Sequence, residues 1–241
     1  MRYAILSDIH GNLEALQAVI AHAARDVDAC LCLGDVVGYG ADPEPCIELV
    51  AERCQAVVGG NHEHAVAGLL GLDWFNPWAR AACEWTRERL DEPHRAWLGA
   101  LPLMCEVEDA TLVHASPARP EEWEYLVSAE DGYAAFEAFS TRLCFVGHSH
   151  VAGVWRQGSW GRDHWPRGHD LDLDAGCRYL VNVGSVGQPR DRDPRAAYAV
   201  WDTEARRISF QRVSYDVRAA GTKILEAGLP QYLADRLAQG R

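Results

Sequence analysis

Short apolar runs alternate along the chain with segments in which apolar residues recur every three or four positions. Residues 3–6 form the first apolar run, and Leu13, Leu16 and Ile20 then recur at helical spacing. The same criteria predict strands over 29–33, 55–58, 103–107, 111–113, 143–146, 151–155, 179–182, 197–201 and 208–213. They predict helices after Pro43, within 65–101, and over 128–140, 217–227 and 231–238. This alternation indicates an α/β protein.

Polar residues follow several of these predicted strands at the position where the strand ends. Asp8 and His10 follow the first strand, and Asp35 follows the second. Later strands are followed by Asn61 and His62, by His114, and by His148 and His150. Open α/β sheets bind ligands just past the carboxyl ends of their strands, so we expect these side chains to converge. Carboxylate, amide and imidazole groups without a thiolate favour a divalent transition metal over Mg²⁺ or Ca²⁺ alone.

Charge and composition narrow the possible partners. The 241-residue chain carries a formal net charge of −12, so we expect no stable nucleic-acid complex and no membrane association. Phosphorylated substrates stay compatible, because bound cations can reverse the sign of the potential inside a site. No apolar stretch approaches the ~20 residues that span a bilayer, and no signal-peptide pattern is present. The eight cysteines are scattered without a C-x-x-C pair, which favours reduced thiols in a cytoplasmic protein.

The domain organisation is predicted to be simple. No internal repeat, linker or low-complexity tract interrupts the pattern, so residues 1–241 are predicted to form a single domain. Residues 157–177 match no element pattern, although a protruding hairpin is one interpretation, and His164 and His169 within them are interpreted as surface residues. Four tryptophans in the helical middle of the chain are interpreted as core and lid packing, with substrate stacking by one of them as the alternative: Trp74, Trp78, Trp85 and Trp97.

Five sequence blocks together resemble the calcineurin-like metallophosphoesterases. They are Asp8-x-His10, Gly34-Asp35, Gly60-Asn61-His62-Glu63, His114 and Gly147-His148-x-His150, in the order typical of that family. The loop 184–190 also resembles the end of many bacterial members, so the resemblance extends over most of the chain. Taken together, the five blocks are far more specific than any one of them.

The resemblance implies a four-layer αββα sandwich, an α/β (α+β) fold in which helices flank two mixed β-sheets. It also implies two divalent metal ions with Asp35 as the ligand that bridges them. One ion would be held by Asp8, His10, Asp35 and His150, and the other by Asp35, Asn61, His114 and His148. Nitrogen and oxygen ligands without a thiolate suit Mn, Fe, Ni, Co or Zn, and Mn is the first choice for assays.

The resemblance further implies a mechanism. Two divalent ions would lower the pKa of a bridging water, and the resulting hydroxide would attack phosphorus in line with the leaving oxygen. His62 resembles the family's non-ligand histidine and would protonate the leaving group as a general acid. Asn12 and Arg190 are candidates for contacts with the substrate, and Glu63 or His64 for orienting His62 or a ligand.

Several substrates are compatible with these residues. The leading prediction is a phosphodiesterase or phosphatase acting on a small nucleotide-type phosphoester, such as a cyclic nucleotide or a dinucleoside polyphosphate. The Asp8-Ile9-His10-Gly11-Asn12 string keeps a phosphoprotein Ser/Thr phosphatase as the alternative. A non-catalytic scaffold of the same fold is a remote alternative, because all seven ligand positions and His62 are intact.

Overall fold

The computed structural model describes residues 1–159 and 161–241, so Trp160, within the unassigned 157–177 segment, lies outside the described residues. The strands of the described residues are β1 (Arg2–Leu6), β2 (Ala29–Cys32), β3 (Cys54–Val57), β4 (Met104–Val107), β5 (Ala110–Val113), β6 (Leu143–Val146), β7 (Gly153–Gly158), β8 (Gly161–Trp165), β9 (Leu171–Asp172), β10 (Arg178–Asn182), β11 (Ala196–Asp202) and β12 (Arg207–Val213). The α-helices are α1 (Leu13–Ala23), α2 (Pro43–Arg53), α3 (Asn61–Ala67), α4 (Pro77–Arg89), α5 (Glu92–Ala100), α6 (Ala129–Ala135), α7 (Val217–Glu226) and α8 (Gln231–Leu237).

The strands form two mixed six-stranded sheets. The first has the order β3-β2-β1-β11-β12-β9, in which β1, β2 and β3 are parallel and β11 is antiparallel to β1. The second has the order β4-β5-β6-β10-β7-β8, in which β5, β6 and β10 are parallel. Parallel neighbours need crossover connections, and α1 and α2 lie in the connections between β1, β2 and β3.

Alternating side chains explain why the two sheets stack between helices. Ile5 of β1 belongs to a buried cluster that also contains Phe145 of β6, so this cluster lies between the sheets. The next residue, Leu6, points to the other face and packs in a cluster with Leu16 of α1. Beyond the second sheet, a separate cluster contains Phe136, which directly follows α6. The helix, sheet, sheet, helix order confirms the predicted αββα sandwich.

The predicted helix over 128–140 is shorter in the structure than in the sequence pattern. Its start is as expected, because the Ser128 side chain accepts a hydrogen bond from the backbone N–H of Asp131 at 3.1 Å. The α-helix ends at Ala135, and a 3₁₀ turn follows over Phe136–Ala138. The late hairpin β11–β12 and the final helices α7 and α8 are present with bounds that differ by one residue from the pattern.

Segment 157–177 divides between the two sheets. Its first part contains the end of β7 and the whole of β8, which pair antiparallel as a hairpin at the edge of the second sheet. Its later part contains β9, which pairs with β12 at the edge of the first sheet. His169 is exposed, as expected. His164 is half-buried and stacks on Trp155 with ring centroids 4.7 Å apart, which corrects its interpretation as a surface residue.

The cysteines agree with the predicted reduced state. All eight are free thiols, and five of them are buried. None of the helices in 1–159 and 161–241 combines the length and the apolar character that a membrane span requires.

Candidate metal centre

The predicted ligands meet where the two sheets end. Asp8 and His10 follow β1, Asp35 follows β2, and Asn61 begins α3 shortly after β3. From the second sheet, His114 follows β5, and His148 and His150 follow β6. Six of these seven residues are at most 6% exposed, and Asn61 is half-buried. The seven positions therefore form one buried polar centre between strand ends that are far apart in the sequence.

The backbone of this centre is strained. Five residues of the centre have φ between 51° and 64°, in the left-handed region that favours glycine: Asp8, His10, Asp35, His148 and His150. Neighbouring loops hold two of these turns, because the N–H groups of Asp8 and His10 donate to the carbonyls of Gly34 and Asp35 at 3.0 and 2.9 Å. Strained backbone of this kind is typical of functional sites.

Asp8, His10 and His150 form the first cluster. The Nε2 atoms of His10 and His150 lie 3.1 Å apart, and Asp8 Oδ1 lies 3.2 Å from His150 Nε2. The Nδ1–H groups of both histidines point away from the cluster. They donate to the backbone carbonyls of Val37 at 3.0 Å and Gln188 at 2.6 Å. These bonds select the tautomer in which Nε2 carries the lone pair.

The geometry of the first cluster fits a bound cation. Burial holds the pKa of both His10 and His150 well below its usual range, so both rings are neutral. Their Nε2 lone pairs face each other at 3.1 Å with no proton between them. Asp8 Oδ1 is buried and lacks a hydrogen-bond partner among the described residues. A divalent cation among these three atoms would satisfy all of them.

Asp35, His114 and His148 form the second cluster. His114 Nε2 lies 3.3 Å from Asp35 Oδ2 and 3.1 Å from His148 Nδ1. The Nδ1–H of His114 donates to the carbonyl of Leu33 at 2.8 Å, which again leaves Nε2 for the centre. Within the described part of the chain, Asn61 Oδ1 and His148 Nε2 are buried without hydrogen-bond partners. This donor set fits a second cation, which would take the place of the proton that Asp35 favours on His114 Nε2.

Asp35 links the two clusters. Its Oδ2 lies 3.3 Å from His114 Nε2 and 3.6 Å from His10 Nε2. Burial favours a raised pKa for this carboxyl, but the adjacent His114 and His62 outweigh it and hold the pKa well below its usual range. Burial favours a lowered pKa for His114, but Asp35 outweighs it and raises the pKa to about 9. Asp35 is therefore an anion at the middle of the centre.

Glu63 fixes the turn that carries Asp35. Its buried carboxylate accepts hydrogen bonds from the backbone N–H groups of Asp35 at 2.6 Å, Gly60 at 2.8 Å and Val37 at 3.2 Å. The sequence pattern proposed Glu63 or His64 as an orienting residue. Glu63 holds the main chain of Asp35, a predicted ligand, whereas His64 is half-buried and packs against the ring of Trp123 with centroids 5.2 Å apart.

His62 lies beside both clusters. It is 3% exposed, and its backbone N–H donates to Asp35 Oδ1 at 3.0 Å. Its ring meets the ring of His10 edge-on at 4.8 Å between centroids, and its Nδ1 contacts Cys83 Sγ at 3.4 Å. Ligand atoms of His62, His10 and Asp35 lie within 4.8 Å of one another, so distance alone does not distinguish a metal ligand from a proton donor here. Burial lowers the pKa of His62 to about 4.

The two candidates for substrate contact differ in their surroundings. Asn12 caps α1, because its Oδ1 accepts from the Ala15 N–H at 3.1 Å. Its Nδ2 donates to the Gly187 carbonyl at 2.8 Å and to the Tyr215 hydroxyl at 3.3 Å. These bonds occupy the amide and do not support a substrate contact by Asn12. Arg190 lines a cavity at the centre, and its Nε lacks a partner in the described residues.

A cavity of about 640 Å³ opens onto the centre. Its lining includes Asp35, Asn61, His62, His148, His150 and Arg190. Further lining comes from segments 70–79 and 121–125, which contribute the aromatic residues Trp74, Phe75, Trp123 and Tyr125. The ring of Tyr125 stacks on His148 with centroids 4.0 Å apart. A concave site of this size and composition suits a small ligand.

The aromatic lining was predicted only in part, through the alternative of substrate stacking by one of the four tryptophans. Trp74 is 91% exposed at the cavity, so it does not pack in the core, and its position is compatible with that alternative. Trp78 is 43% exposed and stacks on Tyr232, whereas the half-buried Trp85 and Trp97 pack as expected. Trp123 and Tyr125 belong to an irregular segment without periodicity. The only feature of the sequence that could have indicated their place at the cavity was their proximity to His114.

The fold and the buried His/Asp clusters are those of a metal-dependent hydrolase. The model of the calcineurin-like phosphoesterase superfamily domain matches residues 1–206. The chain therefore belongs to the calcineurin-like phosphoesterase superfamily, a family of metal-dependent phosphoesterases.

Individual relatives extend the similarity over the whole chain. An uncharacterized protein of Methanocaldococcus jannaschii is 39% identical over 246 residues, which cover 99% of this chain and 98% of that protein. The crystal structure of a metallophosphoesterase from Sphaerobacter thermophilus is 44% identical with a TM-score of 0.87, covering 100% of this chain and 99% of that one. A hypothetical protein of Pyrococcus horikoshii OT3 shares the fold at 21% identity, with a TM-score of 0.81 and coverage of 100% and 98%.

Proposed function

We propose that the protein is a dinuclear-metal-dependent phosphodiesterase or phosphatase that hydrolyses nucleotide-type phosphoesters. The observation that carries this proposal is the cavity of about 640 Å³, whose lining includes residues of both His/Asp clusters, Arg190 and the five aromatic residues Tyr39, Trp74, Phe75, Trp123 and Tyr125. A phosphoester in this cavity would have metal ligands on one side and aromatic rings on the other.

The proposed metal ligands follow the two clusters, with Asp35 shared between them. One ion is held by Asp8, His10, Asp35 and His150, and the other by Asp35, Asn61, His114 and His148. Support comes from the unpartnered buried atoms Asp8 Oδ1, Asn61 Oδ1 and His148 Nε2, and from a donor set that suits Mn, Fe, Ni, Co or Zn. When bound, two such ions supply Lewis acidity that lowers the pKa of a water and neutralises charge on phosphoryl oxygens.

His62 is the proposed general acid for the leaving oxygen. It lines the cavity beside both clusters, and a general acid typically contributes about 10²–10⁴-fold to the rate. Burial lowers the pKa of the free His62 ring to about 4. An anionic phosphoester next to the ring would favour its protonated form and raise this pKa, so protonation of His62 is coupled to substrate binding.

Arg190 is the proposed phosphate-binding side chain. It is half-buried at the cavity, and its guanidinium lies over the Tyr39 ring at 5.8 Å from the centroid. Its Nη2 donates to Gln188 Oε1 at 2.9 Å, which leaves other N–H groups for a phosphoryl oxygen. Charge-assisted hydrogen bonds of this type are roughly twice as strong as neutral ones.

The aromatic lining supports a nucleotide-type substrate. Trp74 is almost fully exposed at the cavity, so a planar base could cover it without displacing other protein contacts. Stacking of a base on an aromatic side chain contributes about 1–3 kcal/mol. This contribution would favour nucleotides over phosphoesters without a ring.

A metal-dependent activity panel tests the proposed function. The purified protein, supplied with Mn, Fe, Ni, Co or Zn, is assayed on p-nitrophenyl phosphate, bis-p-nitrophenyl phosphate, a cyclic nucleotide, a dinucleoside tetraphosphate and a phosphopeptide. We expect kcat/KM for the best nucleotide to exceed that for the phosphopeptide about tenfold or more, which corresponds to one stacked base. Preference for the phosphopeptide would support a phosphoprotein phosphatase instead, and no hydrolysis by the metal-loaded protein would overturn the proposal.

A further inference from the structure

We propose that Tyr125 is a phosphate-binding residue whose hydroxyl donates a hydrogen bond to the same phosphoryl group that Arg190 contacts. This role rests on the proposed function, because it assigns a second protein donor to the phosphoester in the cavity. It is carried by the position of the Tyr125 ring against the second cluster, by the strained turn that precedes it, and by the place of its hydroxyl beside Arg190.

The ring of Tyr125 lies directly against the second cluster. It stacks on the ring of His148 with centroids 4.0 Å apart and an interplanar angle of 20°. Tyr125 is nevertheless 52% exposed and lines the cavity of about 640 Å³. One face of the ring therefore packs on a proposed metal ligand, while the side chain remains accessible to a molecule in the cavity.

A second aromatic residue holds the same segment against the centre. Trp123, two positions before Tyr125, packs its ring against those of His64 and His114, with centroids 5.2 and 6.1 Å apart. Its φ of 56° lies in the left-handed region, which is strained for a bulky side chain and typical of functional sites. These contacts place the Tyr125 side chain at the centre before a substrate binds, which lowers the cost of binding.

The hydroxyl of Tyr125 lies beside the guanidinium of Arg190, within hydrogen-bonding reach. A guanidinium has only N–H donors, so Arg190 donates and the phenol oxygen accepts. A phenol is protonated at neutral pH, so the O–H of Tyr125 remains available to donate to a further acceptor. The bond from Arg190 also polarises this O–H and makes it a stronger donor.

A phosphoryl group is the acceptor that fits this position. Arg190 and Tyr125 both present donors to the cavity, and Gln188 Oε1 fixes the guanidinium by accepting from Nη2 at 2.9 Å. Asn61 and His148 line the same cavity, so a group bound by the two donors would lie next to the proposed metal ligands. Anionic phosphoryl oxygens accept several short, charge-assisted hydrogen bonds, as this pair of donors requires.

The test uses Tyr125→Phe in Mn-loaded protein, because phenylalanine keeps the stacked ring and removes only the hydroxyl. Isothermal titration calorimetry with inorganic phosphate as the probe measures binding without catalysis. We expect the Kd for phosphate to rise about tenfold, the effect of one hydrogen bond to a charged group, with unchanged metal content. Tyr133→Phe, at a half-buried tyrosine of α6 outside the cavity lining, is the matched control and should bind phosphate like the wild type.

The coupling between the two donors provides a second readout. Because Arg190 holds and polarises the Tyr125 hydroxyl, removal of the hydroxyl should matter less once Arg190 is absent. In an Arg190→Ala background, we expect Tyr125→Phe to raise the Kd for phosphate about threefold at most. Independent effects of the two substitutions, with a full tenfold change in both backgrounds, would contradict this coupling and with it the paired site.

The kinetic constants distinguish phosphate binding from a merely structural role. In otherwise wild-type enzyme, Tyr125→Phe should raise KM for a phosphoester about tenfold and change kcat about twofold at most, because the hydrogen bond is made in the bound substrate and in the transition state alike. A fall in kcat together with loss of a metal ion would instead mean that Tyr125 only supports His148, and would overturn the proposal.

A crystal structure of the wild-type protein with Mn²⁺ and phosphate requires no variant. We expect the hydroxyl oxygen of Tyr125 at about 2.5–3.0 Å from a phosphate oxygen, with Arg190 in contact with the same ion. A Tyr125 hydroxyl that is bonded to a protein carboxylate or turned away from the phosphate would overturn the role, as would an unchanged Kd for phosphate in Tyr125→Phe.

The outcomes separate this role from the proposed function. A protein that hydrolyses no phosphoester, but whose affinity for phosphate depends on the Tyr125 hydroxyl, would overturn the proposed function and leave Tyr125 as a phosphate-binding residue. An active phosphoesterase whose affinity for phosphate is the same with tyrosine and with phenylalanine at this position would overturn the role of Tyr125 alone.

Discussion

Each histidine of the centre has one ring nitrogen whose partner determines what the other nitrogen can do. His10, His114 and His150 present Nε2, because their Nδ1–H groups donate to carbonyls. His148 differs, because its Nδ1 is the atom 3.1 Å from His114 Nε2. The residue types at these positions could be predicted from the sequence. Their partners could not, because they are main-chain atoms in loops distant along the chain.

The role of His62 gives a prediction at the same scale. In His62→Ala, both metal ions should be retained while kcat for poor leaving groups falls about 10²–10³-fold, because a proton donor is lost and no ligand is removed. Metal content and kcat across a series of leaving groups measure the two effects. His94→Ala, at a half-buried histidine of α5, is the matched control and should leave both unchanged. Loss of an ion from His62→Ala, with activity regained in excess Mn, would make His62 a ligand.

A second prediction concerns Glu63, whose carboxylate accepts three backbone hydrogen bonds. In Glu63→Gln, one of the two oxygens becomes an NH₂ group that faces N–H donors, so buried donors lose their acceptor. We expect the free energy of unfolding of the metal-free protein to fall by about 1–3 kcal/mol, as measured by urea denaturation. Glu48→Gln, at an exposed position of α2, should change it by about 0.5 kcal/mol at most. Equal effects of the two variants would contradict the role of Glu63.

At the scale of elements, the centre depends on strand ends that approach each other closely. Gly147 lies between β6 and the turn of His148, and a Cβ there would lie 1.9 Å from Ser7 Oγ and 2.5 Å from Asp8 Oδ2. No side chain fits between these turns, so the ends of β1 and β6 can approach only through glycine. The sequence contains this glycine in the recognisable block Gly147-His148-x-His150. Its close approach to Ser7 and Asp8 could not be predicted, because it joins two sheets whose strands are far apart in the sequence.

Gly147→Ala tests this close approach. The added methyl group should push the two turns apart and weaken metal affinity about 10–100-fold, the usual effect of disturbing groups that hold metal ligands. Metal titration of the folded variant provides the measurement. Gly71→Ala is the matched control, because a Cβ at Gly71 meets no atom within 4 Å and its φ is not positive. Wild-type affinity in Gly147→Ala would show that the turns can separate without cost to the centre.

The element predictions were most accurate where periodicity was strong. The parallel strands β1, β2 and β3 and the hairpin β11–β12 agree with their patterns. The two-residue strand β9 could not be predicted, because it is too short for any periodicity and is defined only by pairing with β12. Its position shows that pairing with β12, and not local preference, defines this strand.

At the scale of the whole molecule, the charges around the cavity limit the substrates that fit it. Glu121, Glu122 and Glu124 line the cavity, and Arg190 is the basic side chain among the described lining residues other than histidine. Arg119 pairs with Glu122 at 2.7 Å and also with Glu124. Glu121 has no ion pair within the described residues. At a given metal content, Glu121 would therefore repel a polyphosphate more strongly than a substrate with one phosphate.

This charge pattern predicts a change in specificity. Removing charge in Glu121→Gln should raise kcat/KM for a dinucleoside tetraphosphate about threefold at low salt, the scale of one exposed charge interaction. For a cyclic nucleotide, kcat/KM of Glu121→Gln should stay nearly equal to that of the wild type. The gain with the tetraphosphate should shrink as the salt concentration increases. Glu137→Gln, at an exposed carboxylate that does not line the cavity, is the control. A gain of the same size in the control would indicate a general effect of net charge.

The fold and the convergence of the seven proposed ligand positions could be predicted, because their residue types recur at strand ends in a family-typical order. The cavity could not, since its walls come from the irregular segments 70–79 and 121–125. The sequence around a tryptophan such as Trp74 does not distinguish a core position from a cavity wall. Only the tertiary structure shows that 91% of this side chain is exposed.

Anomalous X-ray diffraction from crystals grown with Mn²⁺ tests the central claim most directly. Two manganese peaks are predicted, both in contact with Asp35. One peak should lie among Asp8, His10 and His150, and the other among Asn61, His114 and His148. A single peak, or peaks bound by residues other than these, would contradict the proposed dinuclear centre.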